Sequence, residues 1–290
     1  MSSRTAESTP GAELAGRVVL VTGASRGIGA AIAERLAAAG ATIAAVARSV
    51  DNPRAGLPGS LRETVERIEA RGGKAVAIGG DVLDAASRAQ AVARCRELVG
   101  PIDVLVNNAA LGPYRPFEKF TEKDFQVTFE ANVRAPLELL QLVVGDMRAK
   151  QRGWVVNVSS ATAEPPQGPP YSGWEQMGGH HLYAASKAAL NRLTQGLAAE
   201  LAGQGVAVNT LAPVAAVITP GVEALGIDKF IEPSMIEPVE AMAEAALALC
   251  CCPPELTGRV TYSLPLLAEL GREVRTLDGR AVYRAAAAVH

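Results

Sequence analysis

The sequence predicts an α/β protein, a single domain built on a doubly wound parallel sheet with helices on both faces. Three observations predict it. Short Val/Ile/Ala-rich runs alternate with longer amphipathic segments along most of the 290 residues, the pattern of repeated strand–helix–strand units. The strand runs are apolar throughout instead of alternating with polar residues, as strands covered on both faces require. No linker composition and no internal repeat divides the chain.

The elements follow in order. Residues 17–23, RVVLVTG, read as a buried strand and 27–40, GIGAAIAERLAAAG, as a helix closed by Gly40. Residues 42–47, TIAAVA, are the next strand. A loop with Pro53, Gly56 and Pro58 leads to a helix over 60–71, where Ser60 and Glu63 stand at capping-box spacing. Strand 74–82 precedes helix 84–100, with Asp84 at its cap, and 102–110 read as strand and turn. Apolar residues recur at helical spacing over 122–149, with Pro136 placed to kink or divide that helix. Strand 154–160, helix 181–203, strand 206–213, a helix over 238–251 and a last strand over 258–263 complete the series. Beyond residue 264 the pattern assigns no element.

Composition bounds the function. The chain is 49% hydrophobic and 20% charged with a formal net charge of −2, enough apolar material for a large core. Without an excess of Lys and Arg, neither nucleic acid nor an anionic membrane is the expected partner. No run of about 18 apolar residues predicts a membrane span. Residues 1–15, biased to Ser, Thr, Gly and Pro, lack the apolar core of a signal peptide and are expected to be a disordered lead. The four cysteines, Cys95 and the consecutive Cys250, Cys251 and Cys252, form neither a disulfide framework nor a metal spacing. They are expected to be apolar filler in a reducing compartment, the cytoplasm.

The stretch VTGASRGIGAAIAERL sets Thr22, Gly23, Ser25, Arg26, Gly27, Ile28 and Gly29 between the first strand and its helix. Glycine there lets the backbone approach a pyrophosphate, and the helix N-terminus offers free N–H groups and a positive dipole end. The spacing is G-x-x-x-G-x-G, not the general Rossmann G-x-G-x-x-G, but it stands in the strand–turn–helix context the motif needs. The acid that would bind adenosine ribose hydroxyls and favour NAD is missing: Ala47 stands in its place. Arg48 and Arg26 suit a 2′-phosphate through charge-assisted bonds. NADP(H) is therefore the favoured cofactor, with NAD(H) the alternative.

In YAASK, Tyr183 and Lys187 are four apart and share a helix face. A phenol of pKa about 10 needs roughly three units of help, about 4 kcal/mol, to exchange a proton near pH 7. A neighbouring ammonium can supply that bias. Taken with TGASRGIG, GDV at 80–82, NNAA at 107–110, Asn132, NVSS at 157–160 and VNTLAP at 208–213, in that order, this chain resembles the short-chain dehydrogenase/reductase family in its single-domain form, over about residues 15–263. The resemblance implies hydride transfer between a nicotinamide cofactor and a carbonyl or alcohol. It implies that Ser160, rather than Ser159, hydrogen-bonds the reacting oxygen and that Tyr183 is the general acid in reduction and base in oxidation. Lys187 would lower the Tyr183 pKa and hold the nicotinamide ribose, and Asn132 would hold a water in a proton relay. Asp81 and Val82 would border the adenine, Asn108 and Ala109 the adenosine side of the cleft, and Pro213 and Thr219 the carboxamide. It further implies a homodimer or homotetramer through the two long helices.

Three departures stand out. Ala110 replaces the usual glycine of the Asn-Asn-Ala turn, PVAAVITPG at 213–221 replaces a Pro-Gly start, and the usual ending gives way to an extension over 264–290. An insertion at about 164–182 also lengthens the interval from Ser160 to Tyr183. Its Tyr171, Trp174, Met177, His180 and His181 are expected either to wall an apolar substrate pocket or to cover a neighbouring subunit. The histidines lack partners for a metal, so no metal site is expected. The stretch after the second strand resembles a hydroxysteroid-dehydrogenase-like and citronellol/citronellal-dehydrogenase-like subgroup, which implies a small apolar alcohol, aldehyde or ketone. Two other readings share the fold. A catalytically silent nucleotide-binding regulator would not need Ser160, Tyr183, Lys187 and Asn132 together. A nucleotide-sugar dehydratase or epimerase would need a larger C-terminal substrate domain.

Overall fold

Apolar strands, buried except toward the sheet edges, lie side by side in the computed structural model, which describes residues 12–53, 56–224, 226, 231–232 and 235–284. Seven strands form one sheet in the order β3-β2-β1-β4-β5-β6-β7: β1 (Val18–Thr22), β2 (Thr42–Ala47), β3 (Lys74–Gly79), β4 (Val104–Asn107), β5 (Gly153–Val158), β6 (Val206–Ala212) and β7 (Val260–Tyr262). Every pairing is parallel. Ten α-helices are described: α1 (Gly27–Ala38), α2 (Leu61–Ala70), α3 (Ala85–Val99), α4 (Glu122–Phe129), α5 (Ala135–Ala149), α6 (Gly173–Met177), α7 (His181–Glu200), α8 (Pro220–Ala224), α9 (Val239–Cys250) and α10 (Ser263–Glu269). Two apolar clusters lie on the two faces, one involving α1, α9 and α10, the other α3, α5 and α7. Ser60 and Asp84 cap α2 and α3 as their spacing predicts, accepting from Glu63 N at 3.2 Å and Ala86 N at 2.9 Å.

Four elements differ from the sequence expectations. Residues 1–11 of the lead lie outside the described residues, but 12–15 are ordered: Leu14 is fully buried and its N–H donates to Ala39 O at 2.9 Å. One apolar side chain among polar neighbours gives no periodic signal, yet it completes the core beside α1. The helix expected over 122–149 is α4 and α5 joined by a π turn, Glu130–Arg134. Pro136 explains the break, because without an N–H it bonds neither the α-helical acceptor at Asn132 nor the π-turn acceptor at Ala131. Within the insertion, Ser172 and Glu175 form a capping box that starts α6.

The extension also has structure: α10 follows β7 directly, and Arg275 and Val282 form an antiparallel bridge. It is anchored by a buried ionic triad. Arg35 of α1 and Arg272 both reach Glu244 of α9, each at 2.7 Å. Residues 285–290 lie outside the described residues. Among the described residues, no helix is long and apolar enough to cross a membrane.

Candidate active site

The sheet order reverses between β1 and β4, where an open α/β sheet leaves a crevice at its carboxyl edge. A cleft of about 360 Å³ occupies that position. Gly23, Ser25, Arg26, Gly27, Ile28 and Gly29 line it on one side, Arg48, Asp81 and Val82 on another, and Asn108, Ala109 and Thr219 on the third. A Cβ on Gly23 would come within 2.8 Å of Asn108 Nδ2, and one on Gly29 would strike both that amide and Gly23 O. Only residues without side chains let the turn lie so close to β4.

Four of the expected cofactor residues, Thr22, Pro213, Tyr183 and Lys187, lie outside the lining of the cleft. The Thr22 hydroxyl accepts the N–H groups of Asn108 and Ala109, both at 3.1 Å. Asn108 returns the contact, Nδ2 to Thr22 O at 3.0 Å, so the pair locks β1 to β4 and holds the crevice open.

At the far end of the cleft, Arg26 donates to Ser49 Oγ at 2.9 Å and to Gly59 O at 3.3 Å. Burial and the charge of nearby Arg48 both push the Arg26 pKa down. Two guanidiniums that repel one another therefore stand beside a serine at this corner of the cleft. Arg48 has a long contact to Asp81, 3.8 Å. No acid stands at Ala47.

The candidate catalytic residues converge below the cleft. Tyr183 and Lys187 lie on the inward face of α7, and Lys187 Nζ sits 5.6 Å from the Tyr183 ring centroid. Lys187 is buried and donates to Val158 O at 2.7 Å, at the end of β5. Ser160 follows that strand; its Oγ accepts Thr162 N–H at 3.2 Å and meets Thr162 Oγ1 at 2.9 Å. Ser159 is turned inward, and its hydroxyl has no partner among the described residues. Asn132 sits within the π turn with its amide fully used: Nδ2 donates to Leu111 O at 2.7 Å and Ser186 Oγ at 2.9 Å, and Oδ1 accepts Leu111 N–H at 3.0 Å.

Burial dominates the protonation of this cluster. It raises the Tyr183 pKa, with Tyr114 adding to the rise and a hydrogen bond from Ser160 opposing it. It lowers Lys187 to about 7. Lys187 stands beside the phenol, 5.6 Å from its ring centroid, in the same recess. The physical reason for both shifts is desolvation: both charged forms lose water there.

Three contributors carried no sequence signal. Gly112 packs on Tyr183, where an added Cβ would come within 2.7 Å of the ring. Tyr114 lies with its ring centroid 6.0 Å from that of Tyr183. Arg88 of α3 is buried and pairs with Glu130 at 2.9 Å and with Glu138, bracketing the π turn, while also bonding Val82 O. These contacts join segments far apart in the chain, so no local spacing betrays them.

The insertion walls a separate cavity of about 670 Å³. Tyr171, Trp174, His180 and His181 line it, but Met177 does not, and its floor is Ala184, Ala185 and Ala188 of α7, not the Tyr183 face. Trp174 stacks on His180, 5.0 Å between centroids, and His180 is buried with Nδ1 3.1 Å from Gly178 O. Among the described residues no group of three or more His, Cys, Asp or Glu is placed to hold a metal.

Comparison with known proteins agrees with this geometry. The profile of the short chain dehydrogenase family matches residues 17–228. The chain is 34% identical over 200 residues to a ketoacyl reductase of Nostoc, 69% of this chain and 63% of that relative's length. It is 35% identical over 208 residues to L-xylulose reductase of Bos taurus, 71% of this chain and 74% of the relative. Among solved structures it resembles a 3-oxoacyl (acyl-carrier-protein) reductase of Agrobacterium tumefaciens C58 with NADP bound, with TM-score 0.75 and 31% identity over 90% of this chain and 98% of that one. The chain belongs to the short chain dehydrogenase family and is an oxidoreductase of that family.

Proposed function

We propose that the protein transfers hydride between NADP(H) and the carbonyl or alcohol group of a small apolar molecule. The observation that carries this reading is the convergence of Ser160, Tyr183, Lys187 and Asn132 beneath a cleft whose glycines admit a dinucleotide. The side-chain-free turn fits a pyrophosphate, and the corner of Arg26, Arg48 and Ser49 fits a 2′-phosphate, which favours NADP(H) over NAD(H). When bound, the nicotinamide donates or accepts the hydride. Tyr183, protonated across the neutral range because burial raises its pKa, donates its proton to the carbonyl oxygen in reduction. Ser160 holds that oxygen beside the phenol. Lys187 anchors the recess through Val158 O, and Asn132 keeps α7 registered on the turn after β4. Asn132 lies in the π turn before Pro136, where a water that returns protons from solvent would be held.

The helices α5 and α7 are the surfaces we assign to self-association as a dimer or tetramer, and the cytoplasm is the compartment in which the free cysteines would persist. The experiment is Tyr183→Phe assayed by cofactor absorbance and by NADPH fluorescence. The variant should bind NADPH like the parent and lose at least about a hundredfold in turnover; full activity in the variant overturns the assignment. A parent enzyme that prefers NADH overturns the cofactor half alone.

A further inference from the structure

We infer that Tyr114 is a second substrate-binding phenol, set beside Tyr183 to hold an oxygen on the carbon next to the reacting carbonyl. The preferred substrates are then 1,2-oxygenated carbonyls, α-hydroxyketones or α-diketones, on an apolar skeleton. This rests on the hydride-transfer reading above and narrows it. The Tyr114 and Tyr183 rings are 6.0 Å apart at 39°, so two phenols share one recess. Tyr114 is half-buried, and its hydroxyl bonds to none of the described residues. Burial raises its pKa, so it remains a donor at neutral pH. The hydroxyl is open to solvent, so a ligand oxygen can take the place of the water it meets there. A plain ketone has one acceptor, which Ser160 and Tyr183 take; a neighbouring oxygen gives Tyr114 its own.

The position is built, not incidental. Gly112 brings the segment against Tyr183 at a distance no side chain allows. On the other side, Arg115 N–H donates to Gly179 O at 3.2 Å, and the Arg115 guanidinium reaches Asp124 of α4 at 3.4 Å. Gly179 has φ +82°, and a Cβ there would press on the Arg115 backbone at 3.3 Å. The last turn of the insertion therefore braces Tyr114 over the reacting phenol, which gives the insertion a role although its own cavity lies elsewhere.

The test compares parent, Tyr114→Phe and Tyr183→Phe on matched pairs: acetophenone with 2-hydroxyacetophenone, and 1-phenylpropan-1-one with 1-phenylpropane-1,2-dione. Phenylalanine keeps the ring contact and removes only the hydroxyl. The kcat/KM ratio of oxygenated to plain member should fall about tenfold in Tyr114→Phe, carried mainly by KM. An unchanged ratio overturns the inference, as does a parent enzyme that turns over none of the four. Tyr183→Phe separates the two readings. If it loses turnover of both members while still binding NADPH, hydride transfer stands whatever Tyr114 does. If it stays active, the hydride-transfer reading itself fails.

Discussion

Two walls meet at residues 109–112, and they are made by opposite means. The cofactor wall depends on what the chain omits: Gly23 and Gly29 leave room beside Asn108, and Ala47 leaves out an acid. The reacting wall depends on what the chain adds: Lys187 and Asn132, both buried, with Tyr183, Ser160 and Tyr114 half-buried around them. The first wall is backbone held by the Thr22–Asn108 lock. The second is a set of side chains whose charges are set by desolvation. An omission can be written in a short local motif, whereas a buried cluster has to be assembled from distant segments.

The sharpest way to break the first wall without touching the second is Gly29→Ala. The new Cβ strikes Asn108 and Gly23, so NADPH affinity should fall about tenfold to a hundredfold by fluorescence titration. Retained affinity would show that the backbone has slack there. A smaller effect is expected at the corner of the same wall. Arg48→Ala should weaken NADPH about tenfold, the loss of one charge-assisted bond, and move NADH far less. Equal loss for both cofactors would place Arg48 on the shared part of the dinucleotide.

The smallest effect belongs to the second wall and is one of sign. Alcohol oxidation needs Tyr183 without its proton, so kcat/KM for oxidation climbs with pH as that proton leaves. Ser160 lowers the Tyr183 pKa and Tyr114 raises it. The rising limb should therefore move to higher pH in Ser160→Ala, by less than about one unit, because one neutral hydrogen bond is worth about 1 kcal/mol. A shift to lower pH would contradict the influence described here.

The same contrast explains what could be read from the sequence. All seven strands were legible as apolar runs, and the glycine turn and the Tyr183–Lys187 pair as local spacings. Leu14 was not, because a single buried leucine in a polar lead has no period. The π turn was placed only approximately: Pro136 marked a break, but the distortion falls in the turn before it, at Asn132. Gly112, Tyr114 and Arg88 were invisible, since each acts on a partner more than 40 positions away. The insertion was legible as extra length and aromatic content, but not the direction it faces, which follows from how Gly179 meets Arg115.

The cysteines at the end of α9 have a consequence for handling the protein. Cys250 and Cys252 are buried, as is Cys95 on the inner face of α3, and burial raises every thiol, Cys95 and Cys252 to about 12. Thiols kept protonated are poor nucleophiles. Alkylating reagents and air should leave Cys95, Cys250 and Cys252 untouched until the surrounding core parts, so the rate at which a label reaches these three thiols is a built-in clock for the opening of the interior.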